Sequence, residues 1–236
     1  IDQFNALLAR IEKAYSQMEG FNADVAHELC TPLATLIANN ELALRHPDQA
    51  DMQEVIASNL EELHRLTGIV NDMLFLSQAD RGVGARRAPV SSLASLAADV
   101  LDYHEASLAE AGLTAKVVGD VQGAFDAPLL RRALSNLLGN ATRYARPGSI
   151  VQVCFKMTDE DRVLITVTNC GDTIDPEILP HFFDRFFRAD PARSHGQSNH
   201  GLGLAIVGAI ARMHQGKPVA WSDSGVTSVG LEINAH

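Results

Sequence analysis

Apolar residues recur at Phe4, Leu8, Ile11, Tyr15, Met18, Val25 and Leu29, in alternating steps of four and three interrupted only by the polar Asn22. That spacing keeps one stripe of a helix against a partner over many turns, so it confines the start of the chain to a long helix packed along another. The pattern continues through Leu33, Leu36 and Leu44 and stops at His46-Pro47-Asp48. A second helix follows with two stripes, one of Ile56, Leu60, Leu63, Val70 and Leu74, the other of Leu66, Ile69, Met73 and Leu76. Two such helices joined by a short loop form an antiparallel hairpin that cannot bury both stripes. A second copy would complete a four-helix bundle, so a homodimer is expected. A coiled-coil spacer without chemistry would show the same periodicity.

Within the first helix lies FNADVAHELCTPLATL, residues 21–36. On a helix His27 and Thr31 share a face, and Glu28 stands about 100° round from His27, within reach of the imidazole. Pro32 has no N–H for the carbonyl of Glu28, so a bend just past His27 is expected, exposing the ring. Alone, a helical histidine is as readily a solvated residue as a reactive one.

The remaining sequence decides between these, beginning with charge. A formal net charge of −10 over 236 residues leaves no basic stripe for phosphate backbones, which excludes general nucleic-acid binding. Arg81, Arg86 and Arg87 sit in a glycine-bearing stretch that reads as a solvated linker. Cys30, Cys154 and Cys170 are scattered without metal-ligand spacing, which fits a reducing compartment. No apolar run has bilayer-spanning length and no secretory signal opens the chain, so it is expected to be soluble as given. It starts in mid-helix without a cap, which suggests a fragment of something longer.

Beyond residue 85 the texture becomes mixed. Ser91 to Ala111 reads as a capped amphipathic helix ending at Gly112, and Pro128 to Tyr144 as a helix with Asp126 as N-cap. Strands are expected at Thr114–Val118, Gly123–Phe125, Ile150–Met157 and Val163–Asn169, the last two forming a hairpin. A helix from about Leu202 to Gln215 and strands near Pro218–Ser222 and Ser228–Asn234 complete an α+β sandwich with a largely antiparallel sheet.

The second of these helices carries NLLGNATRY, residues 136–144. Asn136 and Asn140 share a face, and paired amide oxygens can complete the water-rich shell of a Mg²⁺ held by phosphates, while Arg143 and Tyr144 can reach phosphate oxygens. A polar stripe beside an apolar one would look the same. Downstream, Asn169-Cys170-Gly171-Asp172-Thr173-Ile174 closes a strand with a turn where a base edge could meet a polar side chain. FFDRFFR, residues 182–188, then leads through a Gly, His and Ser segment into Gly201-Leu202-Gly203, where glycines at a helix start let backbone N–H groups approach phosphate.

In this order the segments resemble the H, N, G1, F and G2 boxes of the transmitter of bacterial two-component sensor histidine kinases: HELCTPL, NLLGNATRY, NCGDTI, FFDRFF and GLGLAIV. The resemblance implies a dimeric four-helix bundle followed by an α/β sandwich ATP-binding domain of the GHKL or Bergerat type. It divides the chain into the end of a HAMP signalling helix (1–20), a dimerisation and phosphotransfer domain (21–82), a linker (83–89) and a catalytic ATP-binding domain (90–236). It implies His27 as phospho-acceptor, Glu28 as its base, and Thr31 as a residue that orients water when a partner is dephosphorylated. For ATP and Mg²⁺ it implies Asn136, Asn140 (the metal residue), Arg143, Tyr144, Asn169, Gly171, Ile174, Phe186, Arg188, Gly201, Leu202 and Gly203, with a mobile lid over about 188–200. The implied partners are a second copy and the receiver domain of a response regulator, itself a DNA-binding transcription regulator. Membrane attachment would run through upstream segments, making this the cytoplasmic portion of a bacterial inner-membrane protein. NxGxxI at G1, with FNADVAHEL and FDRFFRAD, most resembles the heavy-metal-type subgroup.

The sequence departs from the family at four places. Cys30 replaces an Arg or Lys in the H box, removing a charge beside the reaction centre. Asn169 and Thr173 stand where the G1 box has Asp and Gly, and Asn199 where a lid glycine is common. An amide oxygen can still accept from an adenine amino group, without a charge, so ATP binding is expected to persist. These departures leave open a second implication, a degenerate dimeric transmitter acting mainly as a regulator-binding or phosphatase module.

Overall fold

The computed structural model describes residues 2–46, 51–158, 160–188 and 200–236, and in the first helix the side chains from Ala23 onward together with Phe4, Leu8 and Gly20. The expected loop at Pro47, the heptad side chains of Ile11, Tyr15 and Met18, and residues 189–199 of the expected lid, with Asn199, lie outside the described residues. The chain divides into two compact units, Ile1–Met73 with Gly196–His200, and Leu74–His195 with Gly201–His236.

The first unit is the helical hairpin of α1 (Asp2–Arg45) and α2 (Met52–Asp80), the latter continuing past Met73 into the second unit. Asp51 caps α2, its Oδ1 accepting the N–H groups of Gln53 at 2.9 Å and Glu54 at 3.3 Å. Two amide bonds set the antiparallel register: Asn39 Nδ2 donates to Ser58 Oγ at 3.1 Å and Asn59 Nδ2 to Asn40 Oδ1 at 3.2 Å. Burial in this unit is thin. Pro32, Ala43 and Ile69 are covered, whereas Leu33, Ile37 and Leu44 on α1 and Ile56, Leu60, Leu63 and Val70 on α2 are exposed. The stripe of Ile56, Leu60, Leu63, Val70 and Leu74 foreseen in the periodicity is therefore uncovered among the described residues, while that of Leu66, Ile69, Met73 and Leu76 turns inward.

The last turns of α2 belong to the α/β unit. There the Arg132 guanidinium lies 4.1 Å over the Phe75 ring, and Arg185 pairs with Asp80 at 2.5 Å. Three helices, α3 (Leu93–Glu110), α4 (Ala127–Tyr144) and α5 (Gly203–Met213), cover one face of a five-stranded sheet of order β2-β4-β5-β7-β6. The strands are β2 (Thr114–Val118), β4 (Ile150–Met157), β5 (Arg162–Cys170), β6 (Lys217–Asp223) and β7 (Val226–Asn234). β2 runs parallel to β4 and every other pair is antiparallel. Period-two alternation sends Val151, Val153, Phe155, Val163, Ile165, Val167, Val229, Leu231 and Ile233 to the helix side, where all are buried. Each side chain so covered contributes about 1.5–3 kcal/mol relative to exposure.

One element lies in what reads as linker. β1 (Ala88–Val90) pairs antiparallel with β3 (Gly123–Phe125) in a separate two-stranded sheet. Three residues centred on a proline carry no readable alternation, and Pro89 has no N–H to mark it as a strand. Side chains and backbone then fasten this segment: Arg86 N–H donates to Asp126 Oδ2, Arg87 donates to the carbonyls of His214 and His236, and Ala85 N–H donates to Met213 O.

At the centre of that fastening is His214, fully buried at the end of α5. Its Nδ1 lies 2.9 Å from the Ile210 carbonyl and its Nε2 accepts the Asp126 N–H at 3.2 Å, so the geometry requires a neutral ring protonated on Nδ1. Asp126 in turn caps α4 through Leu129 N–H. Burial holds the His214 pKa below its ordinary value of 6.5. The unfolded chain therefore binds the proton more readily, and the stability this residue contributes is complete above about pH 6.5 and lost as pH falls below it. Between pH 7.5 and 5.5 the unfolding free energy from urea titration should fall more in the native chain than in His214→Gln, which keeps an acceptor but does not titrate, by up to about 1.4 kcal/mol per pH unit below 6.5. Equal slopes in the two proteins would contradict this.

Candidate functional site

On α1 the covered side is formed by Val25, Leu29, Pro32, Leu36 and Ala43, and His27 and Thr31 project from the opposite side, both exposed. The helix α1 spans Pro32, and His27 is exposed on it, on the side away from the covered residues. Thr31 Oγ donates to the His27 carbonyl at 3.0 Å, and Thr35 Oγ to the Thr31 carbonyl at 3.2 Å. These bonds fix the Thr31 rotamer one turn from the imidazole and leave its oxygen able to accept. Glu28 is half-buried beside His27, and Cys30 is a free, exposed thiol. Cys30 lies in line with Leu33 and Ile37 at i, i+3 and i+7, so it extends the exposed apolar stripe.

In the α/β unit the site is built on α4. Its buried arc of Leu130, Ala133, Leu134, Leu137, Leu138 and Ala141 packs inward and leaves Asn136, Asn140 and Arg143 half-buried along the flank. Asn136 spends its Nδ2 on the Arg132 carbonyl at 2.9 Å, which turns Oδ1 toward Gly203. A Cβ at Gly203 would stand 2.8 Å from that oxygen. Gly203 opens α5, whose first turn has no side-chain cap from the buried Leu202, so its leading N–H groups suit an anionic group.

Two further closures bring the remaining segments to the same helix ends. Phe186 N–H donates to the Gly201 carbonyl at 3.0 Å, with φ of +59° at Phe186 and +68° at Gly201, and a Cβ at Gly201 would meet the Phe186 Cα at 2.7 Å. Gly171 lies against the end of α4, where a Cβ would stand 2.5 Å from the Tyr144 carbonyl and 3.4 Å from Asn169 Nδ2. Asn169 is buried, Ile174 half-buried and Tyr144 exposed, and Arg146 N–H holds the Cys170 carbonyl at 2.7 Å. Asn136 thus lies against Gly203, Phe186 against Gly201, and Gly171 against both Tyr144 and Asn169. Arg188 and Phe186 are half-buried in the α/β unit, whereas His27, Glu28 and Thr31 belong to the helical unit. The arrangement can hold a polyphosphate at the α5 N-terminus beside amide oxygens able to ligate a hard cation.

Sequence reasoning missed the Arg132–Phe75 contact and the His214–Asp126 fastening. No spacing marks the first, since the partners are 57 positions apart in sequence by their numbers. A histidine after an apolar helix was the available sign of the second.

Residues 17–82 match the family described as His Kinase A (phospho-acceptor) domain, and residues 125–234 that of histidine kinase-, DNA gyrase B-, and HSP90-like ATPases. The sensor histidine kinase CusS of Escherichia coli K12 is 42% identical over 98% of this chain and 48% of that protein. The sensor protein CzcS of Cupriavidus metallidurans is 37% identical over 93% of this chain and 46% of that protein. The chain spans about half the length of these curated relatives. Among solved structures, the Acinetobacter baumannii histidine kinase AdeS shares the fold with a TM-score of 0.75 at 20% identity, covering 89% of this chain and 98% of that one. Histidine kinase ThkA, in complex with the response regulator TrrA, gives 0.70 at 19% identity, over 95% of this chain and 64% of that one.

Gly201→Ala should destabilise the α/β unit by about 1–3 kcal/mol, through a strained left-handed backbone and the clash at Phe186, read from the urea midpoint. A neutral substitution would show that the Phe186–Gly201 closure is not held as described.

Proposed function

The chain belongs to the sensor histidine kinases, carrying their phospho-acceptor and ATPase domains in order, and on that premise we propose that it transfers the γ-phosphoryl group of ATP to His27 and passes it to an aspartate of a response regulator. The observation that carries the reading is an exposed His27 flanked by Glu28, in one chain with a glycine-lined α5 N-terminus facing Asn136. In this reading Glu28 takes the proton from one imidazole nitrogen as the other forms the N–P bond and the bond to the ADP oxygen breaks. Thr31 would orient water for the reverse task, removing phosphate from the regulator.

Nucleotide would be held by Asn136, Asn140, Arg143 and Tyr144 on α4, by Asn169, Gly171 and Ile174 at the base, and by Phe186, Arg188, Gly201, Leu202 and Gly203 around the phosphates. The donor set fits a phosphate-borne cation: Asn140 offers an amide oxygen, and Mg²⁺ bound with ATP would neutralise phosphate charge. The exposed stripes of α1 and α2 support a homodimer, since a bundle would cover Leu33, Ile37, Ile56, Leu60 and Leu63. ThkA in its complex with the response regulator TrrA supports a response-regulator partner, which in our reading offers its receiver domain and belongs to a DNA-binding regulator. Likeness to CusS and CzcS agrees with the heavy-metal-type subgroup. We place this segment on the cytoplasmic side of a bacterial inner-membrane protein; no described helix is long and apolar enough to cross a membrane.

With γ-labelled ATP and Mg²⁺ the chain should acquire an acid-labile label that His27→Gln abolishes. No label at millimolar ATP would favour the degenerate transmitter, and phosphate release without phosphoprotein would indicate a simple ATPase. Cys30→Arg restores the charge that the family carries, and should raise the rate of labelling or transfer by about fivefold at most, the scale of one exposed charge interaction. Identical rates would assign Cys30 to the apolar stripe alone.

A further inference from the structure

The turn joining β6 to β7 is clasped to the loop Asn169–Ile174 by hydrogen bonds that use the backbone N–H groups of Gly171 and Ile174 and the hydroxyls of Thr173 and Ser222. Gly171 N–H donates to the Gly225 carbonyl at 2.9 Å, and Gly225 N–H donates to Thr173 Oγ at 2.9 Å. Both polar backbone groups of Gly225 are therefore used on the two sides of one loop. One step further along, Ile174 N–H donates to Ser222 Oγ at 3.1 Å, and Ser222 Oγ lies 2.9 Å from Thr227 Oγ across the hairpin.

The turn is able to do this because of its own backbone. Ser224 and Gly225 have φ of +49° and +79°, the pair of left-handed residues that closes a two-residue hairpin, and the flanking pair Asp223 and Val226 is in register. That conformation is preset by the strands on either side. A Cβ at Gly225 would stand 3.2 Å from the Gly171 carbonyl, a tight contact, and it is the φ of +79° that favours glycine there. On its other side the loop meets the end of α4, through Arg146 N–H to the Cys170 carbonyl and through Gly171 against Tyr144. The loop is held between a helix end and a rigid turn. Its acceptor at one of these points is the hydroxyl of Thr173, a position where the family resemblance had led to a glycine.

We infer that the Ser224–Gly225 turn sets the conformation of the loop that meets the nucleotide base, with Thr173 and Ser222 as positioning residues for nucleotide binding. This rests on the ATP-binding reading of the same site. A glycine at 173 would leave the Gly225 N–H to water and let the loop sample more backbone conformations. The threonine hydroxyl gives the loop a fixed attachment and removes that freedom. Loss of the bond should weaken binding of any nucleotide that uses the loop, because the bound geometry would have to be reached from a broader set of states.

The experiment compares the full chain with Thr173→Val, Thr173→Ser and Ser222→Ala. Valine keeps the shape and removes the acceptor, while serine retains it. ADP affinity by calorimetry should fall about threefold to tenfold in Thr173→Val and Ser222→Ala, the effect of one partly exposed hydrogen bond, and stay within twofold of the native value in Thr173→Ser. In the labelling reaction the change should fall on KM for ATP rather than on kcat. Without nucleotide, hydrogen exchange of the Asp223–Val226 turn should quicken in Thr173→Val and not in Thr173→Ser. Native affinity in Thr173→Val, or equal losses in the valine and serine variants, would overturn the inference while leaving the kinase reading intact. Failure of the native chain to bind ADP would overturn the ATP-binding reading itself, and the exchange difference would still report whether the clasp exists.

Discussion

The burial of one arc of α4 is the constraint from which the α/β unit takes its form. Leu130, Ala133, Leu134, Leu137, Leu138 and Ala141 are packed between the sheet and the neighbouring helices, so the helix has no freedom to rotate. Rotation by a single residue would carry leucines to solvent at a cost of several times about 1.5 kcal/mol. With the apolar arc fixed, Asn136, Asn140 and Arg143 are fixed as well, at the flank and not at the crown of the helix. The N-terminal end is held by the Asp126 cap and, through Asp126, by the buried ring of His214. The far end is held at Tyr144 by Gly171. Polar groups that have to meet a charged ligand are thus placed by apolar contacts that never touch it.

Glycine supplies the second layer of placement. At 171, 201 and 203 a methyl group would collide with a backbone or amide atom of another segment at 2.5–2.8 Å. Each of these positions is where two stretches distant in sequence meet: the end of β5 with α4, the phenylalanine segment with the start of α5, and α5 with Asn136. Sequence reading could name Gly201 and Gly203 as phosphate-approaching residues and Gly171 as part of a turn that meets the base. That they are also the points of closest approach between protein segments follows only from the fold, and the two properties reinforce each other, because a cradle narrow enough for a phosphate leaves no room for side chains at its rim.

Most of the architecture was legible because its periodicities are strong. β2, β3 and β4 have the limits read from the chain, and the Asp126 cap was named from its place before Pro128. The ordered boxes pointed to the family because each combines a composition with a position. What was not legible depends on contacts without local pattern. β1 is three residues pairing with a strand more than thirty positions away, and nothing in Ala88-Pro89-Val90 encodes that partner. The role of His214 depends on which backbone N–H faces its ring. Thr173 could be recognised as unusual, but the use of its hydroxyl required knowing that the β6–β7 turn comes to it. The site residues named from resemblance remain a proposal, supported by the closures that join them.

The two units solve the problem of burial differently, and the difference bears on how the chain would work. The α/β unit closes its core within one chain: its sheet has a covered side and its helices have their apolar arcs against it. The hairpin does not. Its inner side is made partly from amides, Asn39 to Ser58 and Asn59 to Asn40, which fix register but contribute little net stability, about 1 kcal/mol for each bond. Leu33, Ile37, Ile56, Leu60 and Leu63 face outward, and Cys30 lies between that exposed row and His27, three residues from Leu33 and three from His27. In the dimer we propose, a second copy would cover these stripes, so the stability of the hairpin is tied to that association. In the proposed reaction His27 would meet two partners in turn, the nucleotide and the aspartate of a response regulator, and its place on the exposed side of α1, away from the hairpin's covered side, leaves the imidazole open to both.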